Sequence, residues 1–324
     1  MGYESLMIQA MTYAHPAELP VSIGFLPAVW KRRAGEVREI VRAHRALFPD
    51  AERMLDERFA YDTLMPDSYR AGTFTDEWGC VWRNVEEGME AIVVEHPLPR
   101  REQVRGLAMP TVRDGRMPHG FLYLRLLDLR GFEEVMIDFA EECEELQMLI
   151  DTVTAYDGYQ MEVLLRAHKG AIVWLGDDLG MQHGLAMGAE RWRKYLKPAF
   201  AKLYAQVRRA GKYVFMHTDG CIYEIMPDLM EAGAHIINPQ YRANGLDNLV
   251  RVCRGKIPIL LDLDRQLFPH ATPSQLRDHV RACVEALYLP SGGLGLSIEL
   301  GPDVPVENME ALVDEADKLR FFKG

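Results

Sequence analysis

The chain has 324 residues, 48% hydrophobic and 26% charged, with a formal net charge of −11 and no basic tract; a large core can form, and the sign of the charge excludes nucleic acid and an anionic membrane surface as expected partners. No stretch approaches the roughly 20 apolar residues of a membrane span, and Met1-Gly-Tyr-Glu-Ser5 begins no basic-then-apolar leader, so a cytoplasmic protein is expected. Five cysteines, at 80, 143, 221, 253 and 283, are an odd number without paired spacing, which favours reduced thiols over a disulfide framework.

In chain order, Val21-Ser-Ile-Gly-Phe25 after Pro20 reads as a first strand, and Leu26 to Trp30 as a loop. A basic helix is expected from Lys31 to Leu47, its charges forming a solvated face, with an anion site as the alternative. A second strand falls near 53–59. Between 51 and 99 the helix–strand alternation breaks, and Phe74 to Trp82 and Ala91 to Glu95 resemble a β-hairpin excursion over a barrel mouth. Residues 100–118, with Pro110 and Pro118, form a connector. Gly120-Phe-Leu-Tyr-Leu-Arg125 is the next strand candidate. Glu133 to Lys169 is helical, with candidate breaks near Asp151 and at Gly158.

From there a regular plan sets in. Apolar runs at 171–175, 213–217, 235–238, 257–262 and 294–299 alternate with helical patterns at Ala189–Ala210, Ile222–Ala232, Leu246–Arg254, Pro273–Leu287 and Val306–Leu319. Such alternation means βαβ units and a parallel sheet. The total of about eight strands predicts one α/β domain over 1–324, a (β/α)8 TIM barrel with an N-terminal β-hairpin insertion. Its strand ends share one C-terminal face, where barrels of this kind carry their chemistry.

Polar residues end these strands. His217 and Asp219 are i and i+2 at the close of Tyr213-Val-Phe-Met-His217-Thr-Asp219-Gly220, so they point to one side. They are a candidate metal or acid–base pair; the alternative is a satisfied histidine beside a helix-capping aspartate. Cys221 reads as a buried, inert thiol. Glu299 ends the last strand, where it either completes a His/carboxylate site or pairs with an Arg or Lys. Asp177 and Asp178 point to opposite faces, so one looks into the mouth and the other caps a helix; Gln182 follows them. Asp262, Asp264, Arg265 and Gln266 offer either substrate contacts or a structural ion pair. Tyr123, Arg125, Trp30, Trp78 and Trp82 are candidate ligand contacts or core residues.

Several of these stretches together resemble uroporphyrinogen decarboxylase and its relatives: His217-Thr-Asp-Gly220, Ile225-Met-Pro-Asp-Leu229 through Gly233, Ile237-Asn-Pro239, Leu129-Arg-Gly-Phe-Glu133, Gly176-Asp-Asp-Leu-Gly180, and Gly301-Pro-Asp-Val-Pro-Val-Glu-Asn308. The resemblance implies a (β/α)8 barrel with its cleft at the C-terminal face. One branch of that superfamily decarboxylates porphyrinogens and holds propionates with an N-terminal Arg-Gln-Ala-Gly-Arg segment; this chain has Phe25 to Trp30 there instead. The other branch moves methyl groups to or from the cobalt of a corrinoid protein, and several members hold zinc through a His-x-Cys pair and a distant Cys. Here the pair is His217-x-Asp219, with Glu299 where the distant ligand would fall.

The resemblance therefore implies a corrinoid-linked methyltransferase that demethylates a small methoxy or methylamine-like donor. His217, Asp219 and Glu299 are the expected ligands of a divalent metal such as zinc. His217, Glu299 and Asp177 are the expected catalytic residues. Tyr123, Arg125, Asp178, Gln182, Asp262 and Gln266 are the expected substrate contacts. A transient corrinoid protein and a second copy of the chain are the candidate partners. The alternatives are a decarboxylase of a uroporphyrinogen-like acid, with Arg125 or Arg265 on its carboxylates, and a non-catalytic barrel serving as an accessory subunit.

Overall fold

The computed structural model describes residues 2–56, 65 and 67–324. Nine strands lie among them: β1 Val21–Phe25, β2 Gly72–Thr75, β3 Val81–Asn84, β4 Ile92–Glu95, β5 Ile172–Gly176, β6 Tyr213–Thr218, β7 Ile236–Pro239, β8 Ile259–Asp262 and β9 Leu294–Leu300. The chain forms two compact units, one of Met1–Gly72, Asn84–Ala91 and Gln240–Gly324, the other of Thr73–Arg83 and Ile92–Pro239. Among the described residues, no helix is long and apolar enough to cross a membrane.

In the first unit the strand order is β1-β9-β8. Both pairings are parallel, with Val21 opposite Leu296 and Ile259 opposite Leu294. In the second unit the order is β7-β6-β5, again parallel, with Ile172 opposite Tyr213 and Phe215 opposite Ile236. Helices connect these strands, and Ile172, Val173, Val214, Met216, Leu260, Leu261, Leu296 and Ile298 are buried. Near-continuous apolar strands are what a sheet covered on both faces requires. The fold is thus mixed α/β with parallel strands, six of them among the described residues.

Several expectations change. Leu26 to Trp30 is not a loop: the helix Pro27–Ala43 begins there, because a proline at the first helical position has φ preset and lacks only a donor that would be unpaired anyway. Residues 53–55 of the expected second strand lie in the helix Ala51–Leu55, and 57–59 lie outside the described residues. Gly120 to Arg125 is not a strand: Tyr123–Arg130 is a helix. The long helical region breaks at Glu142, whose φ is +52°, giving helices Phe132–Glu141 and Glu144–Ala167. Gly158 does not break the second of these; its missing Cβ leaves room for the Gln206 side chain, which a Cβ would meet at 3.1 Å. The helix expected from Ile222 runs Met226–Ala232.

The insertion is a three-stranded sheet, β2-β3-β4, rather than a two-stranded hairpin. Asp76 organises it. One carboxylate oxygen accepts from the amides of Trp78 and Cys80 at 3.0 and 2.9 Å. The other accepts from Trp82 Nε1 at 3.0 Å and Arg125 Nη1 at 2.6 Å.

Candidate metal centre

Strands β5 and β6 run in register with Gly176 opposite His217, and β7 sets Asn238 opposite His217 on the other side. The loops that leave β5 and β6 cross closely. Gly180 N donates to the Asp219 carbonyl at 3.1 Å and Cys221 N to the Met181 carbonyl at 2.8 Å. Gly220 has φ +84°, and a Cβ there would lie 2.1 Å from the Gly180 carbonyl oxygen. Only glycine meets both demands. The crossing sets Asp178 beside His217 and Asp219, and the Asp219 amide donates to Asp178 Oδ1 at 3.0 Å.

A third segment closes the cluster. Gly120 N donates to the Gly176 carbonyl at 2.8 Å, which pins the loop carrying His119 over the end of β5. There is no room for a side chain at 176, since a Cβ would stand 2.5 Å from His119 Nδ1. His119 Nε2 lies 3.0 Å from Asp178 Oδ2. His217 Nε2 lies 3.9 Å from Asp178 Oδ1 and 3.2 Å from Asp219 Oδ1. The two imidazole centroids are 5.5 Å apart.

One ligand atom from each of His119, Asp178 and His217 falls within 4.8 Å of the others. Around a tetrahedral ion with ligands near 2.0–2.1 Å, donor atoms stand about 3.3 Å apart. The contacts of 3.0 and 3.9 Å bracket that spacing. Two imidazoles and a carboxylate suit zinc or another divalent first-row ion and leave a position for substrate.

Electrostatics agree. Burial pushes the Asp178 carboxyl up, but the bond to His119, the Asp219 amide and nearby His217 outweigh it and hold the group below its ordinary range. Burial pushes His217 down, but Asp219, Asn238 and Asp178 outweigh it and hold the imidazole above 6.5. The cluster favours an anionic Asp178 and a protonated His217.

Of the residues read from the sequence, His217, Asp219 and Asp178 come together here, Asp178 within the donor set rather than only as a substrate contact. Glu299 belongs to the other unit. There it accepts from Arg265 Nη1 at 2.5 Å, and Arg265 Nε lies 2.9 Å from Asp262 Oδ2. Asp177 is not part of the cluster: it is fully buried and accepts from the amides of Leu122, Tyr123 and Leu124 at 3.2, 2.5 and 3.0 Å. Burial raises its pKa to about 7 despite those donors.

Tyr123 is buried at the start of the helix that Asp177 caps. Arg125, also buried, pairs with Asp76 and with Asp128 at 3.6 Å. Gln182 and Gln266 are exposed in turns. Asp264 pairs with Arg242 at 2.8 Å. Trp30 and Trp78 are core residues, and Trp82 stacks on Phe74 with centroids 6.0 Å apart. Cys221 is a buried thiol pushed up by burial, outside the donor set.

Two residues escaped the sequence reading. His119 sits in a connector with no periodicity, and its only local signal is a histidine held between Pro118 and Gly120. Asn238 reads as the polar end of an apolar run; the register of β7 against His217 gives it meaning, its Oδ1 lying 2.6 Å from His217 Nδ1.

The segment that carries Asp178, His217 and Asn238 lies within a family match. The profile of uroporphyrinogen decarboxylase (URO-D) matches residues 126–319, more than half of the chain. The chain belongs to the uroporphyrinogen decarboxylase family. No curated protein matches it. Among solved structures, a methyltransferase from Methanosarcina mazei is similar over 98% of this chain and 99% of its own, at 16% identity and a TM-score of 0.63. At that identity the likeness concerns the fold. Dihydropteroate synthase of Xanthomonas albilineans, solved with 4-aminobenzoic acid, matches 45% of this chain and 52% of its own at 17% identity. Its TM-score of 0.30 is too low to bear on the fold. Within this family member, then, the polar cluster of the second unit stands at the C-terminal ends of two parallel strands, the end at which parallel α/β sheets hold their ligands.

Proposed function

We propose that this family member is a cytoplasmic, metal-dependent methyltransferase, a single (β/α)8 barrel domain that demethylates a small methylated donor and passes the methyl group to a corrinoid protein. The observation that carries the reading is the gathering of His119, Asp178 and His217 at the ends of β5 and β6. These residues would hold a divalent cation, zinc by preference, which supplies a Lewis acid to polarise the donor heteroatom. Asp178 would neutralise one unit of the ion's charge and neutral imidazoles none, with Asp219 beside His217 as a further carboxylate. No thiolate stands in the set, which favours an oxygen or nitrogen donor over a thiol substrate. The corrinoid protein and a second copy of the chain are the partners this reading calls for.

Metal analysis after dialysis against zinc tests the first step, with a stoichiometric ion expected in the wild type and none in His217→Ala. Incubation with cob(I)alamin and a panel of methoxylated aromatics and methylamines tests the second, through the absorbance change on cobalt methylation. A wild type that binds no zinc and methylates no cobalt with any donor ends the reading.

The family match favours decarboxylation as a second reading. Against it, the two arginines expected on substrate carboxylates are already held, Arg125 by Asp76 and Asp128 and Arg265 by Asp262 and Glu299. Loss of carboxylates from uroporphyrinogen would restore it. Tight binding of a donor without turnover would instead mark an accessory subunit.

A further inference from the structure

The environment of His217 makes opposed demands on its two ring nitrogens, which a proton or a metal cation at Nε2 satisfies. Its Nδ1 lies 2.6 Å from Asn238 Oδ1. A carbonyl oxygen only accepts, so Nδ1 carries a hydrogen. In a neutral imidazole Nε2 is then a bare lone pair. Yet that Nε2 faces carboxylate oxygens of Asp219 at 3.2 Å and Asp178 at 3.9 Å. Two lone pairs at such range repel unless a proton or a metal ion lies between them, so in the neutral, Nδ1–H ring the Nε2 position is one that a metal ion can take.

Asn238 is built to impose this arrangement. It is buried, 6% exposed, in β7, and stands in register with His217 across the β6–β7 ladder. Its position is fixed by backbone hydrogen bonding on a rigid strand rather than by a loop. Aspartate in its place would offer the same acceptor with an added charge; leucine, of similar shape, would offer none.

We propose that Asn238 is a positioning residue: by accepting the Nδ1 hydrogen of His217 it fixes the imidazole tautomer and turns the Nε2 lone pair toward a divalent cation shared with His119 and Asp178. This rests on the metal reading above, and supplies the supporting interaction that metal-bound histidines ordinarily have.

Two measurements separate this inference from the reading it rests on. The first uses metal-free protein. Nitrogen chemical shifts of the His217 ring, recorded at a pH where the ring is neutral, report which nitrogen is protonated. The wild type and Asn238→Asp should show the Nδ1–H form, and Asn238→Leu a mixture or the Nε2–H form. A wild type in the Nε2–H form overturns the proposal without recourse to any variant, so a leucine variant that fails to fold leaves the test intact. The second measurement is zinc affinity by competition with a chromophoric chelator. Asn238→Leu should bind about 10- to 100-fold more weakly, with Asn238→Asp retaining or exceeding wild-type affinity. Unchanged affinity in a folded Asn238→Leu overturns the positioning role and leaves the metal reading standing. No zinc binding by the wild type overturns the metal reading and the cation half of this proposal together.

Discussion

His217 shows how little a residue type says without its neighbours. A histidine at a strand end is compatible with a ligand, a base or a satisfied core group. Here its two nitrogens face different chemistry, an amide oxygen at 2.6 Å and carboxylates from 3.2 Å outward. That asymmetry is what makes it a ligand candidate. Asp157 is a contrasting case. It is 3% exposed in Glu144–Ala167, and its Oδ2 has no hydrogen-bond partner among the described residues. Burial, reinforced by the charge of Asp177, raises its pKa well above 3.8, against the pull of Arg125. The folded state therefore binds this proton more tightly than the unfolded chain does. Its contribution to stability is complete below 3.8 and is lost as pH rises through the folded pKa. Asp157→Asn is neutral at every pH and escapes that loss. It should match the wild type near pH 4 and exceed it at pH 8 by about 1 kcal/mol, roughly 2 °C in Tm. Urea denaturation at both pH values checks this, and an advantage that does not grow with pH would contradict it.

At the scale of the element, the helix Tyr123–Arg130 is instructive. Gly120-Phe-Leu-Tyr-Leu is a short apolar run, and periodicity alone does not separate a strand from a buried helix start at that length. Asp177 decides it. Its carboxylate accepts three consecutive amides, at Leu122, Tyr123 and Leu124, which are the donors a helix leaves unpaired at its N-terminus. The residue after a strand thus caps a helix that precedes it by some fifty positions, a pairing no local pattern reveals. Asp177→Ala should destabilise the protein by about 1–3 kcal/mol through those stranded donors, with Asp177→Asn recovering part of the loss. Thermal unfolding of both variants measures it; an alanine variant as stable as the wild type would remove the capping role. The opposite case is Pro273–Leu287. Thr272 and Gln275 form a reciprocal capping box, and both helix bounds were legible because every signal for them is local.

For the whole molecule, the thiols give a direct test. None of the five cysteines is disulfide-bonded among the described residues; four are buried and Cys143 is partly accessible. A thiol reagent should label Cys143 first under native conditions, and a reductant should leave Tm unchanged; mass mapping of the labelled sites and a melting curve with and without reductant check both. The parallel βα plan after residue 170 was legible in the sequence because buried parallel strands are continuous apolar runs and their helices repeat every 3.6 residues. The strand-end position of His217 and Asp178 followed from the same periodicity, and the motifs around them carried the family. Partner choice did not follow. That Glu299 pairs with Arg265, that Asp178 rather than Asp177 meets the imidazoles, and that His119 and Asn238 belong to the site depend on which loops cross and which strands share register. Periodicity is a property of neighbours along the chain, so the sequence by itself determined the alternating strands and helices after residue 170 and the end of those strands that bears polar groups. Contacts between distant segments depend on loop crossings and ladder registers, which exist only once the chain has folded, and there the tertiary structure alone decided.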